Sequence, residues 1–150
     1  MEEYIMTIDE GTTSARAVLF NKDSEIIAIC AKEFAQYYPQ PGWVEQDPKE
    51  IWLTTKEVIN RVVLQAGIDP RQIKAAGITN QRETVVVYDK NTGEPVYNAI
   101  GWADRRTAPY CDELKAAGKE QMFIDKTGLL IDGYFSGTER KGRSRRSLFF

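Results

Sequence analysis

Apolar residues fall in short, separated runs over the first third of the chain, and their period changes near residue 47. Residues 4–9, 16–21 and 26–34 are rich in Ile, Val and Phe, with breaks at Gly11-Thr12-Thr13-Ser14 and Lys22-Asp23-Ser24. Runs of this kind, punctuated by turn residues, predict an antiparallel three-strand meander. Residues 36–43 hold Pro39 and Pro41, which exclude a central strand, and Tyr37, Tyr38 and Trp43, which predict a loop that packs down on the rest. From Asp47 the pattern is helical. Asp47 is placed as N-cap, Pro48 as the first helical residue and Glu50 as the acid of a capping box. Ile51, Trp52, Val58, Ile59, Val62, Val63 and Leu64 then recur at roughly helical spacing, Gly67 closes the helix, and its apolar face should cover the meander.

After Pro70, residues 73–78 predict a small-residue strand running into the polar Thr79-Asn80-Gln81-Arg82-Glu83. Residues 84–88 predict another strand by their β-branched content, 89–95 a turn, 107–117 a helix stopped by Gly118, and 119–126 a second helix. The order β-β-β-α-β is that of the first half of a ribonuclease H-like fold, with three antiparallel strands, then a helix and a strand parallel to the first. The expected class is therefore α/β, with residues 1–138 as an incomplete domain. No later apolar strand and helix complete a five-stranded core, and residues 139–150 show no periodicity.

Composition narrows the chemistry. The 150 residues suit one domain, and 42% hydrophobic with 28% charged residues is ordinary for a globular chain. No apolar run approaches the roughly 20 residues of a membrane span, and Met1-Glu2-Glu3 does not resemble a signal peptide. A cytoplasmic protein with no membrane partner is expected. The chain has no histidine, which excludes Ser-His and Cys-His nucleophile pairs and His-ligated zinc. Cys30 and Cys111, far apart, are expected to be buried thiols rather than a disulfide or ligand pair. Five basic residues, Arg140, Lys141, Arg143, Arg145 and Arg146, crowd the last twelve positions against Glu139, so an acidic body precedes a basic tail. Without an aromatic platform that tail reads as a solvated segment rather than a nucleic-acid site.

Three constellations carry candidate chemistry. In Asp9-Glu10-Gly11-Thr12-Thr13-Ser14, Gly11 allows close backbone approach and a positive φ. Thr12, Thr13 and Ser14 can donate to phosphate, and Asp9 can hold Mg²⁺ or its water. Arg16 could reach the same phosphates or pair with a carboxylate, and a hydroxyl-rich turn without ligand is the plain alternative. Arg82 and Glu83 form a donor–acceptor pair suited to two hydroxyls of a polyol, though by itself the stretch reads better as a solvated charged turn. Trp102-Ala103-Asp104-Arg105-Arg106 offers an indole wall with charges that pair nearby, or a core Trp before a helix. Tyr134-Phe135-Ser136-Gly137 adds an aromatic with a hydroxyl. Residues 137–144 mimic a P-loop, but Arg143 replaces the essential Lys and no strand or helix flanks it.

Together these pieces resemble the FGGY carbohydrate kinases. The resemblance rests on residues 9–17, on Pro41-Gly42-Trp43-Val44-Glu45-Gln46-Asp47-Pro48, on Gly77-Ile78-Thr79-Asn80-Gln81-Arg82-Glu83-Thr84, on Tyr97-Asn98-Ala99-Ile100, on Trp102 with Asp104-Arg105-Arg106-Thr107, and on residues 127–138. Asn80-Gln81-Arg82-Glu83-Thr84 and Tyr134-Phe135-Ser136-Gly137 mark the glycerol-phosphorylating branch. The resemblance implies Mg²⁺- and ATP-dependent phosphorylation of glycerol to sn-glycerol 3-phosphate in a cleft between two actin-like lobes. Arg82, Glu83, Trp102 and Tyr134 would contact glycerol, Thr12, Thr13, Ser14 and Arg16 would hold the nucleotide phosphates, and Asp9 would lie near the metal. Complete members are often homo-oligomers.

Three departures stand out. Glu10 occupies a position where Gln is usual, Gly101 one where a β-branched residue is usual, and after Thr138 an apolar helix is replaced by the basic tail. A frameshift or gene fragment would produce that last change. The family's general base, the rest of the first lobe and the adenosine-holding second lobe would lie beyond it. The expectation is an N-terminal fragment without useful kinase activity of its own. A nucleotide- or polyol-binding module acting with a partner chain, or a pentulose kinase fragment, is the alternative.

Overall fold

A computed structural model describes residues 2–138, so the basic tail and the P-loop mimic, which runs on past residue 138, lie outside or extend beyond the described residues. The elements in chain order are β1 (Tyr4–Glu10), β2 (Ser14–Phe20), β3 (Ile26–Glu33), β4 (Glu45–Gln46), α1 (Pro48–Ala66), β5 (Ile73–Asn80), β6 (Ala99–Ile100), α2 (Ala108–Ala116) and α3 (Glu120–Thr127). They form two compact units. Among the described residues, the first comprises those of Met1–Gln36 and Asp47–Gln81, the second Tyr37–Gln46 and residues 82–138.

The first unit is the expected meander with its helix and fourth strand. The sheet order is β3-β2-β1-β5, with β1–β2 and β2–β3 antiparallel and β5 parallel to β1. Side chains alternate across a strand, so Tyr4, Met6 and Ile8 are buried while Ile5 is 50% exposed. Ala15, Ala17 and Leu19 of β2 and Ala28 and Cys30 of β3 share the buried face, against Val58 and Val62 of α1. Burying such a valine contributes about 1.5–3 kcal/mol.

The helix boundaries follow from local chemistry. Asp47, in extended backbone, accepts the Lys49 N–H, Pro48 occupies the first turn, and Gly67 at φ +65° closes the C-terminus with its N–H on the Leu64 carbonyl. Glu50, three residues past the cap, accepts the Ala35 N–H at 3.0 Å, which ties the first helical turn to the end of β3. The apolar repeat is wider than the buried stripe. Thr54, Thr55, Val58 and Val62 are buried, whereas Trp52, Leu53 and Leu64 are exposed, and the Lys56 ammonium lies over the Trp52 ring.

The second unit has little sheet, and apart from its two helices it is held by a narrow ladder and by polar bonds. Tyr37 bridges Glu45, β4 pairs antiparallel with β6, and Val85 bridges Ile100. The strand expected over residues 84–88 does not form. Glu83 takes a positive φ of 65°, and pairing then changes partner within a few residues, from Ile100 at Val85 to Val96 at Val87. The expected turn at 89–95 is present, closed by the Asp89 carboxylate on the Asn91 and Thr92 N–H groups. The loop at 36–43 packs less than expected, since Tyr38 is exposed and it is Trp43 that stacks, on Arg106. Both predicted helices form as α2 and α3, with Gly118 and Gly128 in left-handed backbone after them. Cys30 and Cys111 are free and buried, as expected. No helix among the described residues is long and apolar enough to cross a membrane.

Two positions in the last turns of α1 test this packing. Val62→Ala is expected to lower the unfolding free energy by about 2 kcal/mol, and Leu64→Ala, which trims an exposed side chain, to change it by less than about 0.5 kcal/mol. Urea titrations of the two variants against the parent measure the difference.

Candidate functional site

The β1–β2 hairpin carries the first group of site residues. Its register sets Asp9 opposite Arg16 and Glu10 opposite Ala15, leaving residues 11–13 to make the turn. The Gly11 N–H donates to the Ser14 carbonyl at 3.0 Å. Outside the turn, the Thr12 carbonyl accepts the Gln36 amide at 3.0 Å and the Thr13 carbonyl accepts the Phe34 N–H at 3.2 Å. The expected positive φ at Gly11 is not found. The position is tight for another reason: a Cβ there would sit 3.2 Å from the Ser14 carbonyl oxygen, which would have to give by a few tenths of an ångström.

Glu10 turns its carboxylate toward α1, where the buried Thr55 hydroxyl donates to it at 3.2 Å, and its carbonyl accepts the Gln81 N–H at 2.7 Å. The one extra negative charge of the turn is thereby engaged by the helix. Thr13 and Arg16 are exposed, and Asp9, Thr12 and Ser14 half-buried. Three hydroxyls and a guanidinium on one braced turn fit an anionic ligand such as the phosphates of ATP. No group of three or more acidic, Cys or His residues could hold a metal among the described residues. Asp9, at the end of β1 beside this turn, is the carboxylate that could hold Mg²⁺ in the way that ion is commonly held, by one carboxylate together with ligand phosphates and water.

The second unit gathers the other four predicted residues from three distant segments. The Trp102 and Tyr134 rings meet edge to face at 5.8 Å between centroids, and Tyr134 packs likewise on Phe135 at 5.0 Å. Glu83 joins this cluster through Ser136, whose N–H and hydroxyl donate to its Oε2 at 2.9 and 2.6 Å. Those two bonds, with the charge of Arg82 beside it, hold the Glu83 carboxyl below its ordinary range. Arg82 is exposed. Sequence reading placed Arg82, Glu83, Trp102 and Tyr134 in one function but missed the role of Ser136, because a bond between residues 53 apart leaves no local signal.

A buried charge cluster underlies these segments. The Arg106 guanidinium bonds both Glu45 and Asp104 at 2.8 Å and lies 3.8 Å from the Trp43 ring centroid. Glu45 and Asp104 are each 1% exposed. Tyr97 and Asn98 donate to Glu45, while the Val44 and Arg106 N–H groups donate to Asp104. Arg105 pairs instead with Asp132 at 2.9 Å, whose carboxylate also accepts the Tyr134 N–H. Sequence reading anticipated charges pairing near Trp102 but not the part of Glu45. The available signal was a carboxylate between the predicted loop at 36–43 and the helix cap at Asp47.

Removing the guanidinium strands two buried carboxylates, so Arg106→Ala is expected to cost about 3–5 kcal/mol of stability by denaturant unfolding. Asp132 has its pKa lowered, first by the Tyr134 N–H and then by Arg105. Its contribution is complete above the ordinary aspartate pKa of about 3.9 and is lost as the pH falls through the lowered folded value. Unfolding measured against pH should show an acid limb that is shallower in Asp132→Asn.

Comparison with known proteins agrees with this geometry. The model of the FGGY family of carbohydrate kinases, N-terminal domain, matches residues 4–140. Glycerol kinase of Chromobacterium violaceum is 57% identical over 140 residues, 93% of this chain and 28% of that protein. Glycerol kinase of Geobacillus kaustophilus is 57% identical over 141 residues, 94% of this chain and again 28% of that protein. The chain thus spans about 28% of the length of these curated relatives. Among solved structures, Plasmodium falciparum glycerol kinase with ADP superposes with a TM-score of 0.88 at 29% identity, covering 97% of this chain and 29% of that one. Gluconate kinase of Lactobacillus acidophilus does so with 0.81 at 26%, covering 89% and 26%. The α/β fold is accordingly the N-terminal part of a ribonuclease H-like, actin-like ATPase lobe, and the chain belongs to the FGGY family of carbohydrate kinases.

Proposed function

We propose that this chain provides the phosphate-holding and polyol-holding elements of a glycerol kinase. The observation that supports the reading is that Ser136 binds the Glu83 carboxylate two residues after Tyr134, whose ring packs on Trp102, with Arg82 the sequence neighbour of Glu83. An acceptor carboxylate beside a guanidinium suits two neighbouring hydroxyls, and the paired rings give a short carbon chain an apolar wall. The high identity to proteins named glycerol kinase favours glycerol over the pentuloses.

When bound, ATP supplies the phosphoryl group and Mg²⁺ neutralises charge on its oxygens. The chain's own residues position the reactants. Thr12, Thr13 and Ser14 donate to phosphate oxygens, Arg16 offsets their charge, Asp9 takes the metal or its water, and Glu83 and Arg82 orient the triol. Glu83 is a poor general base, because Ser136 and Arg82 stabilise its ionised form. A base contributes about 10²–10⁴-fold, and positioning of both reactants can reach about 7–11 kcal/mol. Taken alone, this 150-residue stretch, about 28% of the length of its relatives, is proposed to bind without turning over. Phosphorylation would require the remaining elements of a complete kinase.

Calorimetric titration with glycerol should show saturable binding that Glu83→Ala weakens at least about tenfold. A coupled assay with ATP, Mg²⁺ and glycerol should show no glycerol-dependent ADP release. Tighter binding of xylulose or ribulose than of glycerol would overturn the substrate, and glycerol-dependent turnover abolished by Glu83→Ala would overturn the proposed inactivity.

A further inference from the structure

We propose that Ser136 is a positioning residue that fixes the Glu83 carboxylate so that Oε1 is presented to a substrate hydroxyl; this rests on the polyol reading above. Glu83 is one of two non-glycine residues with positive φ among those described, the other being Ser24 in the β2–β3 turn. A side chain in this backbone region is unfavourable unless its surroundings enforce it, and such residues concentrate at functional sites. The enforcing group is Ser136. Its N–H and hydroxyl converge on Oε2 at 2.9 and 2.6 Å, and the hydroxyl also lies 3.4 Å from the Glu83 carbonyl oxygen.

Two bonds to one oxygen remove rotation about the terminal torsion and leave Oε1, which accepts no bond among the described residues, with its lone pairs available. The same segment carries the ring wall. Tyr134 lies two residues before Ser136, its N–H held by Asp132, which Arg105 anchors. Ser136 thus joins the acceptor to the wall and sets their spacing, a geometry a short polyol would read. Arg82, the charged group acting on Glu83, is its sequence neighbour and exposed, so it can donate to a second hydroxyl without competing for Oε2.

The test uses the full chain with glycerol as probe and three variants, Ser136→Ala, Ser136→Thr and Ser136→Cys, each checked for folding by circular dichroism. Glycerol affinity is measured by calorimetry and the Glu83 titration by carboxyl ¹³C NMR. Ser136→Ala should bind glycerol about tenfold more weakly, the loss expected for one charge-assisted hydrogen bond. Its Glu83 should titrate at higher pH than in the parent, though still held by the remaining N–H. Ser136→Thr should keep both properties within about twofold, and Ser136→Cys, a weak donor, should fall with the alanine variant. If Ser136→Ala is poorly folded, the Thr and Cys pair decides alone. Unchanged affinity, unchanged titration, or a threonine variant as weak as alanine would overturn the assignment. If the parent binds no glycerol, the polyol reading fails, and the titrations still decide whether Ser136 holds Glu83.

Discussion

A guanidinium enclosed by two buried carboxylates is the constraint on which the loop-rich unit depends. Arg106 neutralises only one of the two charges of Glu45 and Asp104, and in a dry interior the excess would be costly. It is spread over hydrogen bonds from two backbone N–H groups, a tyrosine hydroxyl and an asparagine amide. Burial and the neighbouring Glu45 charge push the Tyr97 phenol upward, so it stays protonated as a donor. Because these groups come from three stretches, 44–45, 97–98 and 104–106, satisfying this cluster sets the course of the chain on both sides of Trp102. Regular structure could not do so here, since β4 and β6 are each two residues long.

The sheet unit solves the opposite problem. Its strands and helix form by periodicity and packing, and the polar hairpin at their end is then braced by bonds from residues 34–36, Thr55 and Gln81. Small residues on the buried sheet face, Ala15, Ala17 and Ala28, leave room for the valines of α1. A turn held rigidly on a packed support loses less entropy on ordering an anion than a free loop would.

Features set by neighbours in sequence were legible from the residues alone. The meander, the Asp47 cap, the Gly67 stop and the parallel placement of β5 all follow from local pattern and connection rules. The candidate residues of the hairpin and of the Arg82–Glu83 and Trp102 segments were also legible, because their side-chain chemistry is unusual for plain turns. What escaped depends on long-range pairing. The strand at 84–88 does not form where, after the positive φ at Glu83, pairing passes from Ile100 at Val85 to Val96 at Val87. The exposure of Trp52 and Leu64 could not be read from spacing that counts apolar residues without knowing how narrow the covered stripe is.

The two buried cysteines have a practical consequence. Cys30 lies in the core of the sheet unit, and Cys111 is buried on α2 in the other, where burial pushes its thiol upward. A thiol reagent reaches each sulfur when the surrounding structure opens. Labelling kinetics at the two positions therefore read the opening free energies of the two units separately, with native side chains as the reporters. The chain needs no introduced probe to show whether its halves unfold together or in turn.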